Sequence, residues 1–172
     1  TMASKKRATL RQISRTFRRL GYKPRHLTKF HLDRRRIKLL AGGEGTGKSL
    51  GAGLDVIAEF PFWKLGYIVA PEYDQGRKEF KYIAEAWLLL GATDTSLIHT
   101  PAQGKWTLKT FLGQEVSLLS AKDGADELSG TGESPDWIIL AECGKLSYEI
   151  YLAAQGRIAR SRGVLILSGT IE

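Results

Sequence analysis

Apolar residues along the chain follow two alternating spacings, one typical of buried strands and one typical of helices. Short runs of mostly apolar residues, the pattern of buried strands, occupy residues 37–41, 66–71, 137–140 and 164–167. Apolar residues recur every three or four positions, the pattern of helices, over residues 50–60, 73–90 and 147–159. Because the two patterns alternate, the sequence predicts an α/β fold in which crossover helices connect the strands of a parallel sheet.

Two segments depart from this alternation. Residues 107–112 and 115–119 flank Gly113 and Gln114, which predicts a small antiparallel hairpin with a tight turn. Near the N-terminus, apolar residues at helical spacing predict a helix that Gly21 ends; they are Leu10, Ile13, Phe17 and Leu20. We therefore expect residues 1–36 to form a basic helix with its connector, and residues 37–172 to form the α/β core.

Length and composition indicate one folded domain. The chain has 172 residues, 42% of them hydrophobic, which is enough for a proper core. Cys143 is the single cysteine, so a disulfide framework and a cysteine-based zinc site are excluded, and a reducing, intracellular setting fits best. No apolar run approaches membrane-spanning length and no signal-peptide core follows the basic start, so we expect no membrane association.

Positive charge is concentrated at the N-terminus. Residues 1–38 carry 14 Lys or Arg and only Asp33 as an acid, a net charge of +13, whereas residues 39–172 carry 12 basic and 17 acidic residues, a net charge of −5. This asymmetry predicts an anionic polymer, nucleic acid first, as a partner. In the first helix the arginines lie mostly off the apolar stripe, so they either touch DNA phosphates or a neighbouring subunit, or form a solvated face; they are Arg11, Arg15, Arg18 and Arg19.

The stretch between the first strand and its helix matches the G-x-x-x-x-G-K-S pattern of a phosphate-binding loop. It consists of Gly42, Gly43, Glu44, Gly45, Thr46, Gly47, Lys48 and Ser49, followed by Leu50. Its place between strand and helix is the context that the motif requires. Backbone N–H groups and the helix N-terminus would surround the phosphates of ATP, Lys48 would neutralise the β- and γ-phosphates, and Ser49 would hold Mg²⁺. Upstream, His26, Phe30 and His31 could contact the adenine or could be packing residues.

The end of another apolar strand supplies the second half of the predicted site. Hydrolysis needs a carboxylate that helps to hold Mg²⁺ and a base that orients the attacking water, and the usual pattern is an apolar strand followed by Asp-Glu. Glu142 fits the base, whereas Ala141 stands where the metal-site Asp is expected and has no oxygen to offer. Three explanations stay open: a deliberate substitution that traps a nucleotide state, which we favour; native impairment; or a substitute carboxylate such as Asp136.

Two further groups could act on the γ-phosphate. Ser168, Gly169 and Thr170 follow the last predicted strand, where a small polar residue can sense the phosphate and couple hydrolysis to movement. A cluster of arginines precedes the same strand and could supply an arginine finger to a neighbour's nucleotide, or could be a basic surface turn. Its members are Arg157, Arg160 and Arg162.

The order of these motifs resembles the ATPase domain of the large terminase subunit, the DNA-packaging motor of tailed phages, over residues 24–172. The matching stretches are residues 42–49, 112–114, 128–130, 136–142 and 168–170. The resemblance implies a P-loop NTPase fold of the RecA/ASCE-like type, with a mostly parallel sheet and flanking helices. It also implies an ATP- and Mg²⁺-dependent motor that moves double-stranded DNA into a procapsid in the cytoplasm of the infected cell.

Partners and departures also follow from the resemblance. It implies a ring of copies, typically five, docked on the portal protein and assisted by a small terminase subunit. The nuclease domain of the family has no counterpart here, so we expect a partial ATPase domain. Many relatives carry Arg where Glu44 and Ser129 stand, which weakens a finger assignment, and Ala141 predicts poor hydrolysis. The alternative is a non-hydrolysing, nucleotide-dependent module that binds DNA or a partner.

Overall fold

The computed structural model describes residues 6–122, 128 and 132–170. The strands within these residues are Ile37–Ala41 (β1), Leu65–Ala70 (β2), Ile98–His99 (β3), Trp106–Lys109 (β4), Glu115–Ser120 (β5), Trp137–Ala141 (β6) and Val164–Gly169 (β7). The α-helices are Leu10–Arg19 (α1), Thr28–Leu32 (α2), Lys48–Glu59 (α3), Tyr73–Leu89 (α4) and Tyr148–Ser161 (α5). The predicted strands and long helices are confirmed, and so is the antiparallel hairpin, although its first strand ends at Lys109 and not at residue 112. The short elements α2 and β3 were not predicted, because two to five residues are too few to show a period.

All seven strands of the described ranges form one sheet in the order β1-β7-β6-β2-β5-β4-β3. The first five strands of this order run parallel, and β4 and β3 extend the sheet through antiparallel pairs. The predicted mostly parallel α/β sheet with an antiparallel hairpin is therefore confirmed. Because β1, β7 and β6 are parallel neighbours, their carboxyl ends meet at one edge of the sheet, which is where ligands bind in such folds.

Helices cover both faces of the sheet. On one face, buried residues of α1, α3 and α4 pack with Ile68, Ile139, Ala141 and Ile166 of the strands, and we call this the first layer. On the other face, α5 packs against a smaller second layer that includes Ile138, Leu140 and Leu165. Side chains of a strand point alternately to its two faces, so successive residues of β6 belong to different layers. Ala141 therefore points toward α3 and α4.

The strand before the phosphate-binding loop differs from its prediction. Its apolar run indicated a buried strand, yet β1 is an edge strand of the sheet and alternates in exposure, with Leu39 64% exposed. Lys38 and Leu40 are its buried members, and Lys38 Nζ donates to Asp55 Oδ2 at 2.7 Å and lies 4.4 Å from the Phe30 ring centre. A buried ammonium is tolerated here because a carboxylate and an aromatic face compensate its charge.

Several basic residues of the N-terminal segment hold it to the core. Arg7 and Arg34 both donate to Oε1 of the buried Glu59 on α3. A second buried chain of contacts joins Tyr22, His31 and Asp55, with Tyr22 Oη 2.9 Å from His31 Nε2 and His31 Nδ1 2.9 Å from Asp55 Oδ1. Burial, together with the nearby charge of Asp55, raises the pKa of Tyr22 to about 12. The N-terminal segment is thus an integral part of the fold, and part of its charge is neutralised.

None of the helices in the described ranges combines the length and apolar character needed to cross a lipid bilayer.

Candidate functional site

The phosphate-binding loop has the backbone that its sequence requires. Gly45 and Gly47 have φ angles of 73° and 80°, in the left-handed region that glycine adopts without steric cost. Thr46 Oγ1 donates to Gly43 O at 2.9 Å, which closes the loop on itself. Lys48 Nζ donates to Gly42 O at 2.8 Å and to Gly43 O at 2.6 Å, so its ammonium lies across the loop. Helix α3 begins at Lys48 and directs its positive N-terminal end at the same place.

The end of β6 carries Glu142 on a strained backbone. Its φ and ψ are 49° and 47°, a left-handed conformation that is uncommon for residues other than glycine and clusters at functional sites. This turn directs the chain away from the sheet into a short 3₁₀ turn, Cys143–Lys145. Glu142 is partly exposed, whereas the preceding Ala141 is fully buried. The backbone thus presents Glu142 at the carboxyl edge of the sheet.

One cavity of about 620 Å³ joins the loop to Glu142. It is lined by Glu44, Gly45, Thr46, Gly47, Lys48, Ser49, Leu50, Asp74, Gln75, Lys78, Tyr82, Glu142, Lys145 and Thr170. Most of the predicted site residues therefore surround a single space. The contributions of α4 and of Lys145 were not predicted, because these residues form no motif. The position of α4, whose N-terminus follows β2 at the same edge of the sheet, is the signal that could have indicated them.

A smaller cavity of about 310 Å³ lies on the other side of the loop. The segment from Gly21 to Leu27 lines it together with Thr46, Gly47 and Leu50. His26 Nε2 lies 3.0 Å from Thr46 O, which fixes this segment to the loop. Of the three residues considered for adenine, only His26 lines this cavity; His31 is buried in the contact chain with Tyr22, and Phe30 packs against Lys38.

A buried carboxylate on α4 lies beside the site. Glu79 is only 2% exposed, and within the described part of the chain its Oε2 has no hydrogen-bond partner. Burial raises the pKa of the Glu79 carboxyl, the nearby Ser49 hydroxyl opposes this effect, and the charge of Glu142 raises the pKa further. Glu79 is thus close to two predicted site residues, although the sequence pattern placed it only on the helix.

Asp136 cannot replace the missing metal-site carboxylate. It precedes β6, and its Oδ2 accepts from the backbone N–H groups of Lys64 at 2.6 Å and Leu65 at 3.1 Å. Asp136 and Glu142 flank β6 on either side, six residues apart in sequence, which corresponds to roughly 20 Å at ~3.3 Å per residue. Asp136 therefore belongs to the opposite edge of the sheet, where it fixes the start of β2, and this alternative is wrong.

The residues proposed for coupling lie between the two halves of the site. Ser168 pairs with Ala141 of β6, and Gly169 pairs with Ala41 of β1. Ser168 is buried, whereas Thr170 is exposed and lines the main cavity. A Cβ on Gly169 would lie 2.9 Å from Cys143 Sγ and 3.1 Å from Cys143 N, so only glycine fits this close approach to the residue after Glu142.

Gly169→Ala is expected to lower the free energy of unfolding by about 1–3 kcal/mol, the usual cost of overpacking. The added methyl group must displace the backbone of Cys143, and urea unfolding measures the loss. Gly156→Ala on α5 is the control, because a Cβ there meets no atom within 4 Å. We expect that control to be neutral or stabilising, by up to about 1 kcal/mol. Equal effects of the two changes would contradict the tight contact.

The three candidate finger arginines lie away from this cavity. Arg157 is buried on α5, and its guanidinium donates to Gly132 O at 3.3 Å and to Glu133 O at 3.0 Å. These bonds argue against Arg157 as a finger. Arg160 and Arg162 are exposed at the end of α5, at the amino edge of the sheet, so either could act only on a neighbouring subunit. Ser129, also considered in this connection, lies outside the described residues.

Solved structures of other proteins share the fold of this chain. No protein-family model and no curated protein match the sequence. Among solved structures, the large terminase ATPase domain of Thermus phage P74-26 has a TM-score of 0.67 and 24% sequence identity, and the match covers 88% of this chain and 67% of that chain. The HK97 bacteriophage large terminase has a TM-score of 0.53 and 16% identity, covering 96% of this chain and 34% of that one.

A third match includes a nucleotide. The large terminase of a thermophilic bacteriophage, in complex with ADP, has a TM-score of 0.55 and 12% identity, covering 75% of this chain and 32% of that chain. This chain thus spans about a third of the length of this ADP-bound terminase and of the HK97 protein. At these identities the shared property is the fold. The structural neighbours are phage large terminases, and the chain has the P-loop NTPase-like fold of their ATPase domains.

Proposed function

From this fold and site we propose that the chain is the ATP-hydrolysing motor domain of a DNA-packaging machine. The single observation that carries the proposal is the cavity shared by Lys48 and Ser49 on one side and Glu142 on the other. A phosphate loop alone supports nucleotide binding, whereas a carboxylate facing the same space also supports hydrolysis. The test is DNA-dependent release of phosphate from ATP, compared with the Lys48 and Glu142 variants considered in the Discussion.

Each residue of the cavity has a distinct role in this proposal. The loop N–H groups and the N-terminus of α3 bind the phosphates, and Lys48 neutralises their charge. Glu142 accepts the proton of the water that attacks the γ-phosphate. Ser49 is the residue that would hold Mg²⁺, and the cation would stabilise the negative charge that develops on the phosphates during hydrolysis. Ser168 and Thr170 lie at the end of β7, between the phosphate-binding loop and Glu142. They would sense the γ-phosphate and couple its presence to movement of the sheet.

The smaller cavity could bind the adenine base of the nucleotide. This cavity adjoins Gly47 and Leu50, so a nucleotide whose phosphates occupy the loop could extend into it. Its lining includes Tyr22, Pro24 and Leu27, which offer apolar surface to a purine, and His26, which offers a ring nitrogen. We propose that the connector before β1 holds the adenine, with His26 as the polar contact.

Ala141 limits the proposal. The residue is buried, points toward α3 and α4, and has no oxygen that could support a metal at Ser49. Hydrolysis is therefore impaired unless a carboxylate from another element takes this role. The same observation favours the second candidate function, a non-hydrolysing module whose DNA or partner binding depends on nucleotide. ATP binding without any phosphate release, in the presence of DNA and after assembly, would support that module.

The partners follow from the packaging role. Double-stranded DNA is the expected substrate of the motor. Copies of the chain would form a ring on the portal protein, assisted by a small terminase subunit. The number of copies, five, comes from the resemblance alone. Arg160 or Arg162 would then serve a neighbour's nucleotide from the far edge of the sheet. Residues of α1 offer the surface for DNA, because four of its arginines are exposed while Ile13 and Phe17 fix the helix to the core.

Replacing the four exposed arginines of α1 by glutamine is expected to weaken binding of double-stranded DNA at low salt and to flatten its salt dependence. The variant carries changes at Arg11, Arg15, Arg18 and Arg19. Each phosphate contact that is lost lowers the slope of log K against log salt by about 0.9. Fluorescence anisotropy at several salt concentrations measures both quantities. Binding should be independent of DNA sequence.

A control variant with the same loss of charge separates local contacts from net charge. It carries glutamine at four exposed basic positions outside α1, namely Lys64, Lys81, Lys109 and Arg160. If the two variants bind DNA equally, the basic face of α1 is only a solvated surface. If only the α1 variant loses affinity, this helix is the DNA contact.

A further inference from the structure

Glu79, a buried residue near the site, has a carboxylate oxygen that accepts no hydrogen bond in the described residues. Glu79 is 2% exposed, and this oxygen is Oε2. A buried carboxylate oxygen that accepts no hydrogen bond is costly, so such atoms are rare away from functional or metal sites. Nothing in the core packing explains a Glu at this position of α4, whose buried neighbours Phe80 and Ile83 are apolar.

The packing of α3 against α4 directs Glu79 toward the metal-binding serine. Ser49 and Gly53 are four residues apart on α3 and so share one face of the helix. Gly53 is in close contact with α4, because a Cβ there would lie 3.4 Å from Glu79 O and 3.3 Å from Tyr82 Cβ. Ser49 lies one turn toward the phosphate loop on this same face. Its hydroxyl is close enough to influence the Glu79 carboxyl.

The end of β6 completes the same small region. Ala141 belongs to the first layer, the layer that contains the buried residues of α3 and α4. The charge of Glu142, the next residue, also acts on Glu79. Ser49 and Glu142 line the same cavity and both influence the Glu79 carboxyl, and the short side chain of Ala141 faces the layer that contains the buried residues of α4.

We propose that Glu79 supplies the carboxylate that Ala141 lacks, and supports through Ser49 the divalent cation that binds with the nucleotide. The proposal rests on the nucleotide site of the proposed function. Mg²⁺ is usually held by one or two carboxylates together with substrate phosphates. No group of three or more His, Cys, Asp or Glu side chains that could hold a metal occurs in the described ranges, so the cation depends on the nucleotide for its remaining ligands. A carboxylate from a helix thus replaces one from a strand.

The test measures the affinity of the nucleotide-bound protein for Mn²⁺, used as a paramagnetic substitute for Mg²⁺, by electron paramagnetic resonance. Glu79→Gln keeps the size of the side chain and removes its charge. We expect it to weaken Mn²⁺ binding in saturating ADP or ATP by about 10- to 100-fold, the usual effect of losing a group that supports a metal ligand. Glu85→Gln, on the exposed side of the same helix, is the control and should leave Mn²⁺ affinity unchanged.

The exchange variant, Glu79→Gln with Ala141→Asp, should recover Mn²⁺ affinity, because it returns a carboxylate to Ser49 from β6. Ser49→Ala should lose as much affinity as Glu79→Gln, and combining the two should add little further loss. Unchanged Mn²⁺ affinity in Glu79→Gln, with nucleotide still bound, overturns the role of Glu79 and leaves the proposed function standing. Failure of the unaltered protein to bind nucleotide overturns both proposals.

Discussion

Lys48→Ala is expected to lower ATP affinity by roughly 30- to 5,000-fold, which corresponds to the ~2–5 kcal/mol lost when one member of a desolvated charge pair is removed. The phosphates of ATP enter the loop at the point where Lys48 Nζ now donates to Gly42 O and Gly43 O. Without the ammonium, loop N–H groups and the α3 dipole alone face a highly charged ligand. Isothermal titration calorimetry measures the affinity directly.

Lys145→Ala is the matched control for this experiment. Lys145 lines the same cavity and carries the same charge, but it lies after β6 and outside the loop. A general loss of positive potential would weaken ATP binding similarly in both variants, whereas specific recognition of phosphate requires a much larger effect at Lys48. Because Lys48 also bonds two loop carbonyls, thermal unfolding of both variants should accompany the titrations. Intact ATP affinity in folded Lys48→Ala would refute the nucleotide site.

Glu142→Gln should slow ATP hydrolysis by about 10²- to 10⁴-fold, the usual contribution of a general base, and should leave ATP affinity nearly unchanged. Glutamine has the shape of glutamate and cannot accept the proton of the attacking water. Release of phosphate in steady state, together with ATP binding, separates chemistry from affinity. A fall in affinity that matches the fall in rate would instead indicate that Glu142 acts on the bound ground state.

Glu85→Gln tests whether any loss of acidic charge has the same effect. Glu85 is an exposed residue of α4, away from the cavity lining. The proposed motor requires full activity in this control and a deep loss in Glu142→Gln. Equal hydrolysis in the two variants would remove Glu142 from the mechanism. If the unaltered protein binds ATP and releases no phosphate under any condition, the nucleotide-dependent module becomes the better explanation.

Residues whose spacing reflects a local period were predicted well from the sequence. The helix α4, the strand β6 and the loop at 42–49 are each marked by a continuous local pattern of residue types, and their type and approximate bounds agree with the structure. Lys38 shows the limit of this approach. An apolar run predicted a buried strand, but the position of β1 at the sheet edge exposes Leu39 and buries Lys38 against Asp55. Only tertiary contacts decide which face a strand buries.

The site was predictable where it coincides with a motif and hidden elsewhere. Lys48 and Ser49 were identified from the loop motif and Glu142 from its place after an apolar strand, and all three line one cavity. Glu79 had no such signal, because it lies within the predicted helix α4 and is part of no motif. Its position relative to Ser49 depends on how α3 packs against α4. Asp136 was considered because it is near Glu142 in sequence, yet one strand length separates the two residues in space. The rise per residue is about 3.3 Å in a strand and only about 1.5 Å in a helix, so residues close in sequence can lie far apart along a strand.

The strand β7 between β1 and β6 has a mechanical consequence. Hydrogen-bonded strands are ~4.8 Å apart, so the backbones from which the loop at 42–49 and Glu142 emerge are held roughly 10 Å apart by two ladders of hydrogen bonds. The distance between β1 and β6 is thus set by backbone hydrogen bonds and not by the surface loops. Substitutions in the outer loops should therefore leave this distance unchanged, because, in the described ranges, no loop residue belongs to the two ladders.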